Sequence, residues 1–138
     1  MKDRRTFIKT GVAALVGLSA ASPLLANVSK SEKEINLPGL IYNEKHPGKW
    51  KLKVDSHLPK ISISGSKVSI TTDHGMSEIH YIVRHTLVDK NGNVIGYKTF
   101  YPTDEPKSSF DIPKGYKGKL FATSFCNKHD FWVKEFAV

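Results

Sequence analysis

The chain has 138 residues, of which 39% are hydrophobic and 25% charged, and it carries a formal net charge of +8. That length allows one domain, and the single cysteine excludes an intramolecular disulfide framework. The lysines are scattered through alternating segments without a nucleic-acid motif. The basic balance therefore reads as solvated strand faces and a field that attracts small anions, with no nucleic-acid partner.

Residues 1–26 read as an export signal and not as fold. Lys2, Arg4, Arg5 and Lys9 against Asp3 place +3 of the charge in a basic head. An apolar run from Gly11 to Ala21 follows, with small residues near Ala26 where cleavage is expected. That run is short for a membrane span. The Arg4-Arg5-Thr6-Phe7-Ile8-Lys9 core resembles a twin-arginine export signal, with Asp3 replacing the usual Ser or Thr. The expected location is the periplasm. Residues 27–45 are polar, carry Pro38-Gly39, and read as a linker or edge strand; residues 46–138 form the domain.

From there the apolar residues follow a period of two. Trp50, Leu52 and Val54 alternate with lysines, and Ile61 and Ile63 with serines. Val68 and Ile70 follow a Gly65-Ser66 turn. A longer strand is expected over 79–88, with Ile79, Tyr81, Val83 and Leu87 filling the core. Asn91-Gly92-Asn93 makes a hairpin turn, and Val94 to Tyr101 returns. Strands near 109–112, 119–125 and 131–136 complete the count. No helical period persists. The pattern is all-β, an immunoglobulin-like β-sandwich of about seven strands.

Two groups of residues carry chemistry. Cys126-Asn127-Lys128-His129 sets a thiol and an imidazole within one tight turn, followed by Phe131-Trp132. His74 and His80 flank the start of the long strand. A soft sulfur with several imidazole nitrogens suits iron, zinc or copper. In an oxidising compartment a lone cysteine is a buried thiol, half of an intermolecular bridge or a metal ligand. Coordination explains it best, because a bound thiolate is protected. His85 falls on the expected core face beside Val83 and reads as a core or rim histidine.

Taken together, these segments resemble the superoxide reductase family (desulfoferrodoxin and neelaredoxin). Its iron site is built from a His-Pro-Met segment, a His-Tyr-Ile segment and a Cys-Asn-x-His-x-x-Trp turn. The resemblance runs from about Lys53 to the C-terminus and implies the same sandwich. It implies one mononuclear iron held by His57, His74, His80, His129 and Cys126. The activity implied is reduction of superoxide to hydrogen peroxide, with an external electron-donor protein restoring the ferrous state. Homo-oligomers are common in the family.

The fourth histidine has two candidates. Glu44-Lys45-His46 reproduces the family tripeptide, whereas His57-Leu58-Pro59-Lys60-Ile61 reproduces the family histidine together with the residues on its C-terminal side. The second alignment keeps the register of the next strands and is preferred. It puts Asp55-Ser56 in place of the family Glu-Lys pair and leaves Lys45 as a substitute cation. Gly75 replaces a proline, and Asp130 stands where the family usually has glycine. The alternative reading is an exported metal-binding or electron-transfer sandwich with little superoxide reductase activity.

Overall fold

A computed structural model describes residues 36–138, so the expected export signal lies outside the described residues. Eight strands make up the described fold: β1 (Ile41–Tyr42), β2 (Lys60–Ser64), β3 (Lys67–Thr71), β4 (Ile82–Asp89), β5 (Val94–Thr99), β6 (Lys107–Asp111), β7 (Lys119–Cys126) and β8 (Asp130–Ala137). They form two sheets, ordered β1-β8-β7-β4-β5 and β2-β3-β6. The main core lies between the sheets, where Val68 and Ile70 of β3 meet Leu87 of β4 and Leu120 and Ala122 of β7. Alternation of apolar and small polar residues is what lets one face of each strand be buried. The all-β sandwich expected from the sequence is the architecture found.

Every main-core strand is antiparallel to its neighbours, and only β1 runs parallel to its partner, β8. That short pairing sets Tyr42 opposite Trp132, with ring centroids 5.7 Å apart, and both side chains are buried. Where β5 crosses β6 the backbone comes so close that a Cβ on Gly96 would sit 2.5 Å from the Phe110 ring. Only glycine fits there.

Two expectations are corrected. The 50–54 segment is not a strand: a 3-10 turn covers Gly48–Lys53 and runs into a single α-helical turn, α1 (Val54–His57). Leu52 is consequently 95% exposed. Alternating lysines at 49, 51 and 53 fit either structure, and Pro59, one residue past the Leu58 cap, stops the helical turn. The second correction is the face of the long strand. A bulge between Ile82 and Arg84 shifts its register against β7. An extra residue reverses which side chains point inward. Ile82 is therefore buried while Ile79 is 74% exposed, and Tyr81 and Val83 are only half-buried. Beyond the bulge His85 and Leu87 face the core.

Candidate metal centre

One end of the sandwich gathers residues from three stretches of the chain. His57 closes α1, His74 lies in the segment after β3, and His80 precedes β4. Cys126 ends β7, and His129 stands in the turn before β8. One ligand atom from each of these five residues lies within 4.8 Å of all the others. Cys126 belongs to a small second core with Ile82, Phe100 and Met76, which walls off the sulfur.

The four histidines form a ring of nitrogens. His57 Nε2 lies 2.8 Å from His129 Nδ1, which lies 3.0 Å from His80 Nε2, which lies 3.0 Å from His74 Nε2. The rings of His74 and His57 close the circuit edge to face at 4.6 Å, while His57 and His80 stand across from each other at 6.0 Å. The sulfur of Cys126 sits 3.6 Å from His129 Nδ1 and 3.9 Å from His74 Nε2.

Hydrogen bonding cannot account for this arrangement. A neutral imidazole has one N–H and one lone pair. His57 Nδ1 lies 3.1 Å from the Lys53 carbonyl, which can only accept, so Nδ1 carries the proton and Nε2 presents a lone pair. His129 Nδ1 then faces two imidazole nitrogens and a sulfur, more partners than one proton can serve. Four nitrogens about 2.1 Å from one cation, at the corners of a square, would stand about 3 Å apart. The observed spacings match that geometry, with a thiolate to one side.

The electrostatics agree. Burial, reinforced by the neighbouring His74 and His129, pushes the pKa of His57 from 6.5 down to about 3. Burial and then His80 push His74 down to about 4. His80 and His129 are lowered as well, again chiefly by burial. The imidazoles are thus held neutral, as metal ligation requires. Burial raises the Cys126 thiol, while the Lys128 N–H, 3.5 Å from the sulfur, works the other way. A cation in the cage would complete what that N–H begins.

Asn127, Trp132 and Asp130 support the turn at 126–130. Asn127 accepts from the Tyr81 N–H at 3.0 Å and donates to the Ile79 carbonyl at 3.2 Å, clamping the turn to the segment that bears His80. Trp132 Nε1 donates to the His129 carbonyl at 3.0 Å. Asp130 adopts φ 64°, a left-handed conformation that favours glycine and that aspartate tolerates. Its carboxylate accepts from Trp50 Nε1 at 2.9 Å and pairs with Lys49 at 3.6 Å. Trp50 in turn stands edge-on to the His129 ring at 4.5 Å.

All five residues singled out in the sequence meet at this end. His46 is elsewhere: it lies on an exposed loop whose backbone bonds Asn43, and Glu44 of the same tripeptide pairs with Lys134 of β8 at 2.8 Å. Ser56, in place of the family lysine, lies 2.8 Å from His57 Nδ1. Sequence reasoning missed Trp50, because its lysine-flanked alternation looked like a strand. It also missed Lys53, whose carbonyl orients His57 and whose charge, with that of Lys128, bears on His80 and His129.

Comparison with known proteins gives a consistent picture. No curated protein matches the chain. Among solved structures, a variant of the superoxide reductase (neelaredoxin) from Ignicoccus hospitalis is 25% identical, with a TM-score of 0.63, covering 72% of this chain and 93% of that one. The single-iron superoxide reductase from Giardia intestinalis is 29% identical, with a TM-score of 0.54, covering 61% and 99%. A superoxide reductase solved in the oxidised state is 26% identical, with a TM-score of 0.55, covering 71% and 95%. The desulfoferrodoxin family model matches residues 41–135, which span both sheets and every residue of the cage. A mononuclear iron is the cofactor of that family, and a cage of four neutral imidazoles and one thiol is a donor set that fits it. With a match over more than half of its length and this site inside it, the chain belongs to the desulfoferrodoxin family.

Proposed function

We propose that this protein is an exported superoxide reductase whose His57, His74, His80, His129 and Cys126 hold one iron. The observation that carries the reading is the ring of imidazole nitrogens 2.8 to 3.0 Å apart beside the only thiol of the chain. Iron held there would supply the redox chemistry, the one-electron reduction of superoxide, with two protons, to hydrogen peroxide. An external electron-donor protein then returns the electron.

The protein's own residues prepare that exchange. These five residues would hold the iron, and a small anion would be its substrate. Burial of Cys126 keeps water from the sulfur, and the Lys128 N–H stabilises its negative charge. Lys53 and Lys128 put positive charge around the half-buried edges of His80 and His129, favouring approach of an anion. Asp130 offsets part of that field but is engaged by Lys49 and Trp50.

Metal analysis with visible spectra tests the reading. One iron per chain, a thiolate-to-ferric charge-transfer band that bleaches on reduction, and hydrogen peroxide formed one for one from superoxide with donor consumption are expected. Peroxide at half that yield without donor would mean dismutation and overturn it. A second reading, electron transfer without efficient superoxide reduction, draws on one observation: Ser56 backs His57 where the family has a lysine. Iron and its band without superoxide consumption would select it.

Export rests on Arg4-Arg5 and the apolar run behind them. Arg4→Lys with Arg5→Lys is expected to leave the precursor in the cytoplasm, read by fractionation. Normal export of that variant would point to the general secretory route.

A further inference from the structure

A second polar cluster lies inside the sandwich, apart from the cage. His85 of β4 is fully buried, and its ring packs edge-on against Phe100 at 4.8 Å. Its Nδ1 meets Ser108 Oγ of β6 at 2.9 Å, and its Nε2 meets Thr72 Oγ1 at 2.9 Å. Thr72 Oγ1 also meets Ser124 Oγ of β7 at 2.9 Å. All four side chains are buried, so each unmade bond would carry a desolvation cost. Each of the four has a partner: a neutral imidazole and three hydroxyls join in one unbroken chain of three contacts, whichever way the protons run. Burial holds the His85 pKa down at about 4, which keeps the ring in that neutral form near neutral pH. An aliphatic residue would fill the same space without polar partners, so the cluster calls for a purpose beyond packing.

Thr72 gives that purpose a direction. It lies just past the end of β3, where its N–H bonds the Pro106 carbonyl at 3.1 Å and its own carbonyl accepts from His74 N at 2.8 Å. The segment from there to β4 has no strand, only a bridge between Ser77 and His80. His57 and His74 also differ in what lies behind the ring. His57 Nδ1 is held by the Lys53 carbonyl, whereas His74 Nδ1 is buried with no hydrogen-bond partner. Apart from the carbonyl of the adjoining Gly75, which bears on the ring, nothing polar from a distant segment grips the outer edge of the His74 ring, so its placement depends on its own backbone. That backbone is anchored through Thr72.

We propose that His85 and Thr72 are positioning residues that aim His74 into the cage by anchoring the backbone that carries it, the role the Lys53 carbonyl plays for His57. The proposal rests on the reading of the cage as a metal centre. Ser108 belongs to the same network but touches His85 on the far side from Thr72, which supplies a control.

The test uses the full chain loaded with cobalt(II), whose visible spectrum reports ligand geometry and whose dissociation gives affinity, alongside melting of the metal-free protein. Thr72→Val keeps the shape and deletes the hydroxyl. It is expected to weaken cobalt(II) binding by about 10-fold or more and to change the spectrum, in the range found for partners of metal-bound histidines. Thr72→Ser is expected to restore both. Ser108→Ala should lower melting of the metal-free protein as Thr72→Val does, yet bind cobalt(II) with close to wild-type affinity and spectrum. Should Thr72→Val not fold, Thr72→Ala gives the same reading. Wild-type affinity and spectrum in the Thr72 variants would overturn the proposal while leaving the metal centre intact. Equal loss in Ser108→Ala would also overturn it, by showing a general loosening of the core. A wild-type chain that takes up no cobalt(II) or iron would remove the metal centre itself, and this inference with it.

Discussion

Two sets of histidines lie within this sandwich, and they are satisfied in opposite ways. His85 has a hydroxyl on each ring nitrogen, at 2.9 Å on both sides, so donors and acceptors are complete without any ligand. His57, His74, His80 and His129 turn their nitrogens toward one another, where neutral rings can share too few protons to satisfy the contacts. Burial lowers the pKa in both sets. Burial therefore does not separate a structural histidine from a ligand; what stands opposite the ring nitrogen does. A cluster that only a cation can complete is a binding site, and a cluster complete in itself is a strut.

The strongest way to break the contrast is to remove the sulfur. Cys126→Ser should keep the fold, since the side chain remains small and buried, but lose the thiolate-to-iron band and most superoxide reduction. A variant that kept the band would show that the sulfur is not a ligand. The two candidate histidines come next. His57→Ala is expected to lower iron content or affinity by at least about 10-fold, whereas His46→Ala should bind iron as wild type does. The reverse ranking, read by metal analysis of the purified variants, would transfer the ligand role to the Glu44-Lys45-His46 segment.

Acid titration sharpens the comparison further. Between about pH 6.5 and about pH 4 an unfolded chain binds a proton at the His85 position while the folded chain does not. Stability contributed by neutral burial is thus complete above pH 6.5 and falls as pH drops through that window, by about 3 kcal/mol for this group. His57 and His74 add to the loss in the same direction in the metal-free protein. Thermal melts from pH 7 to pH 4 should show a falling Tm, with a shallower fall in metal-free His57→Ala. An unchanged slope in that variant would mean that His57 is not held neutral in the folded chain.

The smallest effect is expected at the turn after the cysteine. Asp130→Gly removes the contacts to Trp50 and Lys49 but suits the left-handed backbone, so stability should change by less than about 1 kcal/mol. The nearby carboxylate helps to raise the Cys126 pKa, so its removal should shift the thiolate-to-iron band slightly without loss of metal. Asp130→Ala, forced into the same φ, should cost about 1 kcal/mol more than Asp130→Gly in the same melts.

Local signals carried much of this molecule. The turn at 126–129 and the hairpin turns at Gly65 and Gly92 are properties of a few adjacent residues, and both glycines take positive φ as their turns require. The alternation at Val68 and Ile70 marked two core positions directly, because a strand in a sandwich buries every second side chain. His74 and His80 were visible as a pair, and His57 through the Leu58-Pro59 segment beside it. What the sequence could not decide was phase and partnership. The bulge at Ile82–Arg84 leaves no local mark, yet it reversed the buried face at the start of β4 and left Ile79 in solvent. The lysine-rich alternation at 49–53 served a 3-10 turn as well as a strand, and only the close of α1 onto the cage made it helical. The chain Ser108–His85–Thr72–Ser124 joins residues from four separate segments, and the Trp50–Asp130 bond spans 80 positions. Such contacts depend on how the two sheets are laid against each other, and packing of distant strands is a property of the folded chain alone.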